Sequence, residues 1–221
     1  MTLPFKLERG HVVADLDGGR WLIDTGSPWT FGRVGELRFL GRDRPVSVSP
    51  MGLSIEEISE EIGNLPGPST GPFHLDGLLG CDLLAGLTLE IHWARGELAF
   101  LGQPADTRSA ARAIPRTEVR VGGRTAVAVL DTGAFCTYVV SSLVAGLPRT
   151  GSRKDFLPSA GRFEAAVVEV DICHDEVSGT VPVSIAPEFV SAMLAAVGAS
   201  VIIGNDVMSR SLSTRIVIPE C

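Results

Sequence analysis

The feature that most constrains the fold is a pair of similar segments, one in each half of the chain. Residues 21–27 read Trp-Leu-Ile-Asp-Thr-Gly-Ser, and residues 129–134 read Val-Leu-Asp-Thr-Gly-Ala. Each is an apolar run, typical of a buried strand, followed by Asp-Thr-Gly, in which the glycine indicates a tight turn. A single copy favours an ordinary β-turn with Asp as the turn-forming residue. Two copies, both after apolar strands, predict that Asp24 and Asp131 are held at the ends of rigid elements inside the protein.

The repeat extends beyond the two turns. Upstream of each copy, a strand-like run leads through Gly-Gly-Arg, at residues 18–20 and 122–124, which predicts a β-hairpin. Downstream, residues 78–84 and 202–208 share the pattern apolar-apolar-Gly-x-Asp-apolar-apolar, preceded by a helix-like segment and followed by a strand-like one. A long-period repeat of this kind indicates duplicated structural units, and two copies indicate a pair of related lobes.

These motifs resemble those of the aspartic proteases, and each half is similar to a retropepsin-type domain. The matching segments are residues 24–26, 76–80, 131–133 and 201–204, and the resemblance covers the chain from about His11 to Ile218. It implies an all-β, bilobal acid-protease fold with pseudo-two-fold symmetry and few short helices. It also implies that both lobes lie in one chain, whereas retroviral enzymes assemble them as a homodimer.

The resemblance assigns Asp24 and Asp131 as a catalytic dyad that activates a water molecule, with no metal or organic cofactor. The residues implied to support the active-site loops are Thr25, Gly26, Ser27, Thr132, Gly133 and Ala134. Two carboxyl groups in one site can supply both the base and the acid for peptide hydrolysis, because they retain one proton between them. Aspartic proteases are the standard example of such a pair.

The residue after each Asp-Thr-Gly differs between the halves. Ser27 can donate a hydrogen bond to its carboxylate, whereas Ala134 cannot. Because such a bond favours the charged form, we predict that Asp24 is the more readily ionised partner and Asp131 the more often protonated one.

The second half is the longer one. Asp24 and Gly80 are 56 positions apart, whereas Asp131 and Gly204 are 73 apart, a difference of about one hairpin. We place the extra residues at 156–163 and hypothesise a substrate-covering flap in the second half only, tipped by Pro158, Ser159, Ala160 and Gly161. A plain surface loop is an equally good interpretation of these residues.

The remaining pattern predicts the organisation of the chain. We predict an N-terminal lobe over residues 1–104, a linker over 105–115 and a C-terminal lobe over 116–221. A Ser-x-x-Glu capping box predicts a surface helix over residues 54–63, and a proline start predicts a well-buried helix over 187–197. Residues 36–40 and 45–48 are predicted to pair as a hairpin around a turn at 41–44. Trp29 and Phe31 could line the cleft of such a fold, but we favour the core for both.

Composition excludes several other classes of function. The net charge of −7 disfavours binding to a nucleic-acid backbone, and no apolar run is long enough to cross a bilayer. No pair of the four histidines has zinc-ligand spacing. The four cysteines have no Cys-x-x-Cys spacing and no secretory signal is seen, so we expect free thiols in a cytoplasmic protein; secretion of a processed form stays open.

Three hypotheses follow. The first is a monomeric aspartic endopeptidase that acts on a peptide or protein substrate. The second is a catalytically inactive peptide- or protein-binding module of the same fold. The third is an assembly in which a second chain supplies a missing flap.

Overall fold

The computed structural model describes residues 1–33, 35–47, 52–66, 72–105 and 113–220. Within these ranges the chain is mostly β-strand with four short α-helices, which confirms the predicted β-rich class. The strands of the first half are β1 (Thr2–Glu8), β2 (His11–Leu16), β3 (Gly19–Ile23), β4 (Phe31–Gly32), β5 (Glu36–Phe39), β6 (Arg42–Pro45), β7 (Gly77–Leu79), β8 (Leu87–His92) and β9 (Glu97–Gly102).

The second half contains the other eight strands. They are β10 (Arg116–Val121), β11 (Arg124–Leu130), β12 (Tyr138–Val139), β13 (Arg149–Leu157), β14 (Gly161–His174), β15 (Val177–Ile185), β16 (Val201–Ile203) and β17 (Ser213–Val217). The helices are α1 (Ile55–Gly63), α2 (Cys81–Leu84), α3 (Glu188–Ala196) and α4 (Asn205–Met208), with 3-10 turns at Trp93–Arg95 and Ser141–Leu143.

The strands form two large sheets and one small one. The eight-stranded sheet has the order β17-β8-β9-β1-β2-β3-β7-β4, and the seven-stranded sheet has the order β10-β11-β16-β12-β15-β14-β13. Strands β5 and β6 form a two-stranded sheet. The C-terminal strand β17 therefore crosses over to pair with β8 in the sheet of the first half. One large apolar cluster contains side chains from both halves of the chain.

The hairpins that lead to the two Asp-Thr-Gly turns form as predicted. Strands β2 and β3 pair antiparallel across the first glycine-rich turn, and β10 and β11 pair across the second. Both turns contain glycines with positive φ, namely Gly18, Gly122 and Gly123. Such backbone angles carry little steric penalty for glycine, which explains why the sequence marks these turns so clearly.

The hairpin predicted over residues 36–48 has a different register. Leu40 and Gly41 both have positive φ and make a two-residue turn, so Arg42–Pro45 pairs directly back onto Glu36–Phe39. The prediction that residues 41–44 form the turn was wrong. Strand β6 is mostly exposed, so it accommodates polar side chains that resemble those of a turn. Val48 lies outside the described residues.

Helix α1 confirms its sequence prediction in detail. The Ser54 side chain accepts a hydrogen bond from the backbone of Glu57, whose carboxylate accepts one in return from the Ser54 backbone. The two bonds pair backbone donors that the first helical turn leaves without partners. Ile55, Ile58 and Ile62 are buried in a second apolar cluster, against strands β2, β3 and β7.

Helix α3 forms where predicted but is less buried. Val190 and Leu194 are buried, whereas Met193 is 50% exposed. The expectation of a broad, well-buried face was therefore wrong, because the neighbouring elements cover only one narrow side of this helix.

The lobe boundary remains a prediction, since residues 106–112 of the predicted linker lie outside the described residues. Cys81, Cys136 and Cys173 form no disulfide, and Cys221 also lies outside the description. Among the described residues, no helix has the length and apolar character needed to span a membrane.

Candidate active site

Strand pairing places Asp24 and Asp131 in equivalent surroundings. Strand β3, which ends just before Asp24, pairs in parallel with β7, and β11, which ends just before Asp131, pairs in parallel with β16. The Asp24 N–H donates to the Leu79 carbonyl at 3.0 Å, and the Asp131 N–H donates to the Ile203 carbonyl at 3.1 Å. Each aspartate therefore starts its loop from the end of a buried parallel pair of strands.

The two loops bring their carboxyl groups together. Asp24 and Asp131 are close enough for the side chain of each to affect the pKa of the other. A β-carbon on Gly26 would lie 2.2 Å from Asp131 Oδ2, and one on Gly133 would lie 2.3 Å from Asp24 Cγ. Each carboxyl group thus lies directly against the glycine of the opposite loop, so a larger residue at either glycine would displace it.

Backbone donors hold each carboxyl group within its own loop. Gly26 and Ser27 donate to Asp24 Oδ1 at 3.0 and 2.9 Å. In the second loop, Gly133 and Ala134 donate to Asp131 Oδ1 at 2.8 and 3.1 Å. One oxygen of each carboxyl group is therefore fixed by its own loop.

Two threonines join the loops reciprocally beneath the carboxyl groups. Thr25 Oγ1 donates to the Leu130 carbonyl at 2.6 Å and accepts from the Thr132 N–H at 3.1 Å. Thr132 Oγ1 donates to the Ile23 carbonyl at 2.6 Å and accepts from the Thr25 N–H at 3.2 Å. Both side chains are fully buried, so these bonds fix the position of one loop relative to the other.

The protonation of the pair follows from burial and mutual repulsion. Burial raises the pKa of Asp24 well above its ordinary value, and the interaction with the adjacent Asp131 carboxyl group adds to the rise. Burial also raises the pKa of Asp131, while the backbone donors oppose that rise. Two adjacent negative charges are unfavourable in such a site. The pair therefore keeps one proton at pH values above the ordinary pKa of an aspartate.

The predicted role of Ser27 was wrong. Its hydroxyl donates to the Trp29 carbonyl at 2.9 Å and makes no contact with Asp24. Each aspartate receives two backbone N–H donors from its own loop, and the Ser27 hydroxyl adds none to Asp24. Ser27 therefore stabilises the turn that follows Asp24 instead of favouring ionisation of that aspartate.

The sequence patterns did not identify a set of residues that lie behind the two loops and support them. Thr30 Oγ1 accepts from the Gly80 N–H and donates to Asp82, at 2.9 and 2.6 Å. Thr137 makes the same two contacts with Gly204 and Asp206, at 3.1 and 2.7 Å. The available signal was a threonine six residues after the Asp of each Asp-Thr-Gly loop, combined with the repeated Gly-x-Asp.

The first half also supplies a buried side chain that supports the second loop. His11 Nδ1 lies 2.6 Å from the carbonyl oxygen of Gly133, which can only accept, so Nδ1 carries a proton. Burial lowers the pKa of His11 to about 4, and the ring is therefore neutral in weak acid. Asn205 Nδ2 donates to the carbonyls of Gly10 and Thr132, both at 2.8 Å. No local sequence pattern indicated these contacts.

The predicted flap residues form the turn of a long hairpin between β13 and β14. Leu157 pairs with Gly161, and Ala160 N–H donates to the Leu157 carbonyl, so Pro158, Ser159 and Ala160 form the turn. Arg162, just after this turn, forms an ion pair with Glu61 of α1. Phe156 packs against the apolar cluster of the first half. The hairpin of the second half thus reaches the helix of the first.

Trp29 does not belong to the core, contrary to prediction. Phe31 is fully buried, but Trp29 is 48% exposed, two residues beyond Ser27. The exposed indole therefore lies on the segment that leaves the first Asp-Thr-Gly loop.

Comparison with known proteins identifies no family for this chain. Neither a scan against models of protein families nor a search of curated proteins gives a match to this chain. Among the described residues, no group of three or more His, Cys, Asp or Glu side chains is arranged to hold a metal ion.

Proposed function

We propose that this protein is an aspartic endopeptidase in which Asp24 and Asp131 together activate a water molecule to hydrolyse a peptide bond. The observation that carries the proposal is the reciprocal placement of two buried carboxyl groups. Each is held by two N–H groups of its own loop and lies against the glycine of the other. The single proton that this arrangement favours is what hydrolysis by a carboxyl pair requires.

The proposed fold is a bilobal acid-protease fold with a pseudo-two-fold axis between the two carboxyl groups. Its support is the recurrence of the same contacts on both sides. These are the parallel strand pair, the two loop donors, the threonine that bonds across, and the threonine and Asp behind each loop. Because one chain supplies both aspartates, the proposed enzyme acts as a monomer.

In the proposed reaction, the ionised carboxylate takes a proton from water while the protonated carboxyl group polarises the scissile carbonyl. The resulting tetrahedral intermediate then breaks its C–N bond, and the dyad returns a proton to the leaving nitrogen. The dyad ends with one proton, as it began. Neither metal nor organic cofactor takes part in these steps.

The proposed flap is the β13–β14 hairpin with its turn at Pro158–Gly161. Its support is the contact of Phe156 and Arg162 with the first half, which carries the hairpin across from its own sheet. The corresponding stretch of the first half contains the short β5–β6 hairpin and α1. We therefore infer that the β13–β14 hairpin is the flap among the described residues, with an extended peptide held between it and the dyad.

The test is cleavage of a denatured, reduced protein between about pH 3 and 7, a range that brackets ordinary and raised carboxyl pKa values. New termini are identified by mass spectrometry. We expect internal cleavage at defined bonds, with a rate that falls as rising pH removes the last proton of the dyad. If the folded protein binds the denatured chain but yields no new termini over the whole range, it is a binding module and the proposal is wrong.

A further inference from the structure

A third buried carboxyl group lies on a strand of the flap hairpin. Asp155 belongs to β13 and is only 8% exposed. Its Oδ2 accepts a hydrogen bond from the phenol of Tyr138 at 2.5 Å, and its Oδ1 accepts from the Phe156 N–H at 2.7 Å. Tyr138 begins β12, seven residues after Asp131. This bond therefore joins the hairpin to the strand that leaves the second catalytic loop.

Aromatic packing fixes the ring of Tyr138. Phe163, on the second strand of the hairpin, lies 6.2 Å from Tyr138 between ring centroids and 5.2 Å from Phe189 of α3. The ring of Tyr138 is thus covered by the hairpin that its hydroxyl contacts. The aromatic packing and the hydrogen bond of Tyr138 therefore both hold the hairpin against β12.

Charged and polar groups surround Asp155 from each neighbouring element. Cys136 Sγ, from the second catalytic loop, lies 3.9 Å from Asp155 Oδ2 and 3.7 Å from Ser184 Oγ of β15. Arg153 is the nearby cation on β13, and its guanidinium also lies 3.4 Å from Asp206 of α4. These contacts place Asp155 against the segment that follows the second Asp-Thr-Gly turn.

We propose that Asp155 and Tyr138 form a positioning pair that anchors the flap hairpin to the strand leaving the second Asp-Thr-Gly loop. The inference rests on the proposed function of the dyad and hairpin. It adds two residues that touch neither the scissile bond nor the activated water.

The strength of this anchor depends on pH, because Asp155 is a buried carboxyl group that accepts a hydrogen bond and can ionise. Burial raises the pKa of Asp155 to about 6; the charge of Asp131 adds to the rise, while the Tyr138 hydroxyl and Arg153 oppose it. Once ionised, Asp155 accepts a charge-assisted hydrogen bond from Tyr138, so the anchor strengthens as the pH rises through about 6.

The first test needs no substrate, because Tyr138 is the only tyrosine of the chain. Protein labelled with 13Cζ-tyrosine gives one NMR signal, which we expect to titrate with an apparent pKa of about 6. Asp155→Asn should abolish this titration. Glu164→Gln, which removes an exposed carboxylate of the same hairpin, should preserve it. A signal that is constant through this range, or that titrates equally in Asp155→Asn, would overturn the pairing.

The second test measures the anchor itself. Tyr138→Phe keeps the ring and its packing but removes the hydroxyl. We expect roughly tenfold faster amide hydrogen exchange in residues 149–174, a factor equivalent to one broken anchoring interaction, and unchanged exchange in β10 and β11. Unchanged exchange in the hairpin would show that the hydroxyl does not anchor it.

The third test uses the kinetic constants for cleavage. Tyr138→Phe should raise KM more than it lowers kcat, because the flap contacts bound substrate. If the wild type cleaves but Tyr138→Phe leaves KM unchanged, the positioning pair is wrong. If the wild type cleaves nothing while the NMR signal titrates as expected, the proposed function fails and the pair stands.

Discussion

Replacing either Asp24 or Asp131 with Asn is expected to lower the rate of peptide cleavage by about 10³-fold or more, the scale of a general acid–base contribution. Asn matches Asp in shape and keeps an oxygen that can accept from the N–H groups of its loop. It cannot hold or release the proton on which the dyad depends. Both single variants should lose activity to a similar extent, because neither carboxyl group alone can serve as base and acid.

The same substitutions are expected to stabilise the folded protein near neutral pH. The pKa values of both carboxyl groups are raised in the folded state, so their favourable contribution is complete below the ordinary aspartate pKa. It is lost as the pH rises from there through the raised pKa values. Asn avoids this loss. The thermal midpoint of each variant should exceed that of the wild type at about pH 7, with a smaller difference at about pH 4.

Asp15→Asn is the matched control, since Asp15 is an exposed residue of β2. Its activity and thermal midpoint should follow those of the wild type at both pH values. Wild-type activity in Asp24→Asn or Asp131→Asn would contradict the dyad. Lost activity without any gain in stability near neutral pH would contradict the burial of a charged pair.

Replacing Thr25 or Thr132 with Val is expected to destabilise the protein by about 2–4 kcal/mol, because buried partners lose their hydrogen bonds. In Thr25→Val, the Leu130 carbonyl loses its donor and the Thr132 N–H loses its acceptor. Val has nearly the same shape as Thr, so packing is preserved and the loss reports on hydrogen bonding. Chemical denaturation measures the change, and activity should fall because the loops no longer hold their relative position.

Two control variants show whether the loss of stability in Thr25→Val comes from the missing hydrogen bonds or from substitution of a threonine in general. Thr25→Ser keeps the hydroxyl and should lose only about 1 kcal/mol, through the missing methyl group. Thr180→Val removes an exposed hydroxyl that bonds Asp171, and should change stability by less than about 0.5 kcal/mol. If Thr25→Val is no more destabilising than Thr180→Val, the reciprocal bonds do not hold the loops together.

Local patterns in the sequence predicted much of what positions the site. Apolar runs and glycines specified the hairpins before Asp24 and Asp131, because strand burial and positive φ impose strict residue preferences. The capping box specified α1 for the same reason. The extra length of the second half led to the hairpin turn at residues 158–160.

Contacts between distant parts of the chain were not predictable in this way. The bond between Tyr138 and Asp155 and that between His11 and Gly133 depend on how the sheets pack, which no local pattern records. The Ser27 hydroxyl donates to the Trp29 carbonyl and not to the Asp24 carboxylate, because two backbone N–H groups already bond to Oδ1 of Asp24. Exposure of Trp29 and Met193 likewise depends on which neighbours cover them.

The proton shared by Asp24 and Asp131 can be measured directly by 13Cγ-aspartate NMR as a function of pH. Spectra of the Asp24→Asn and Asp131→Asn variants assign the two signals. We predict two well-separated steps that involve both signals, the second of them above the ordinary aspartate range of about 4. Two signals that titrate independently and together near that value would contradict a shared proton, and with it the proposed dyad.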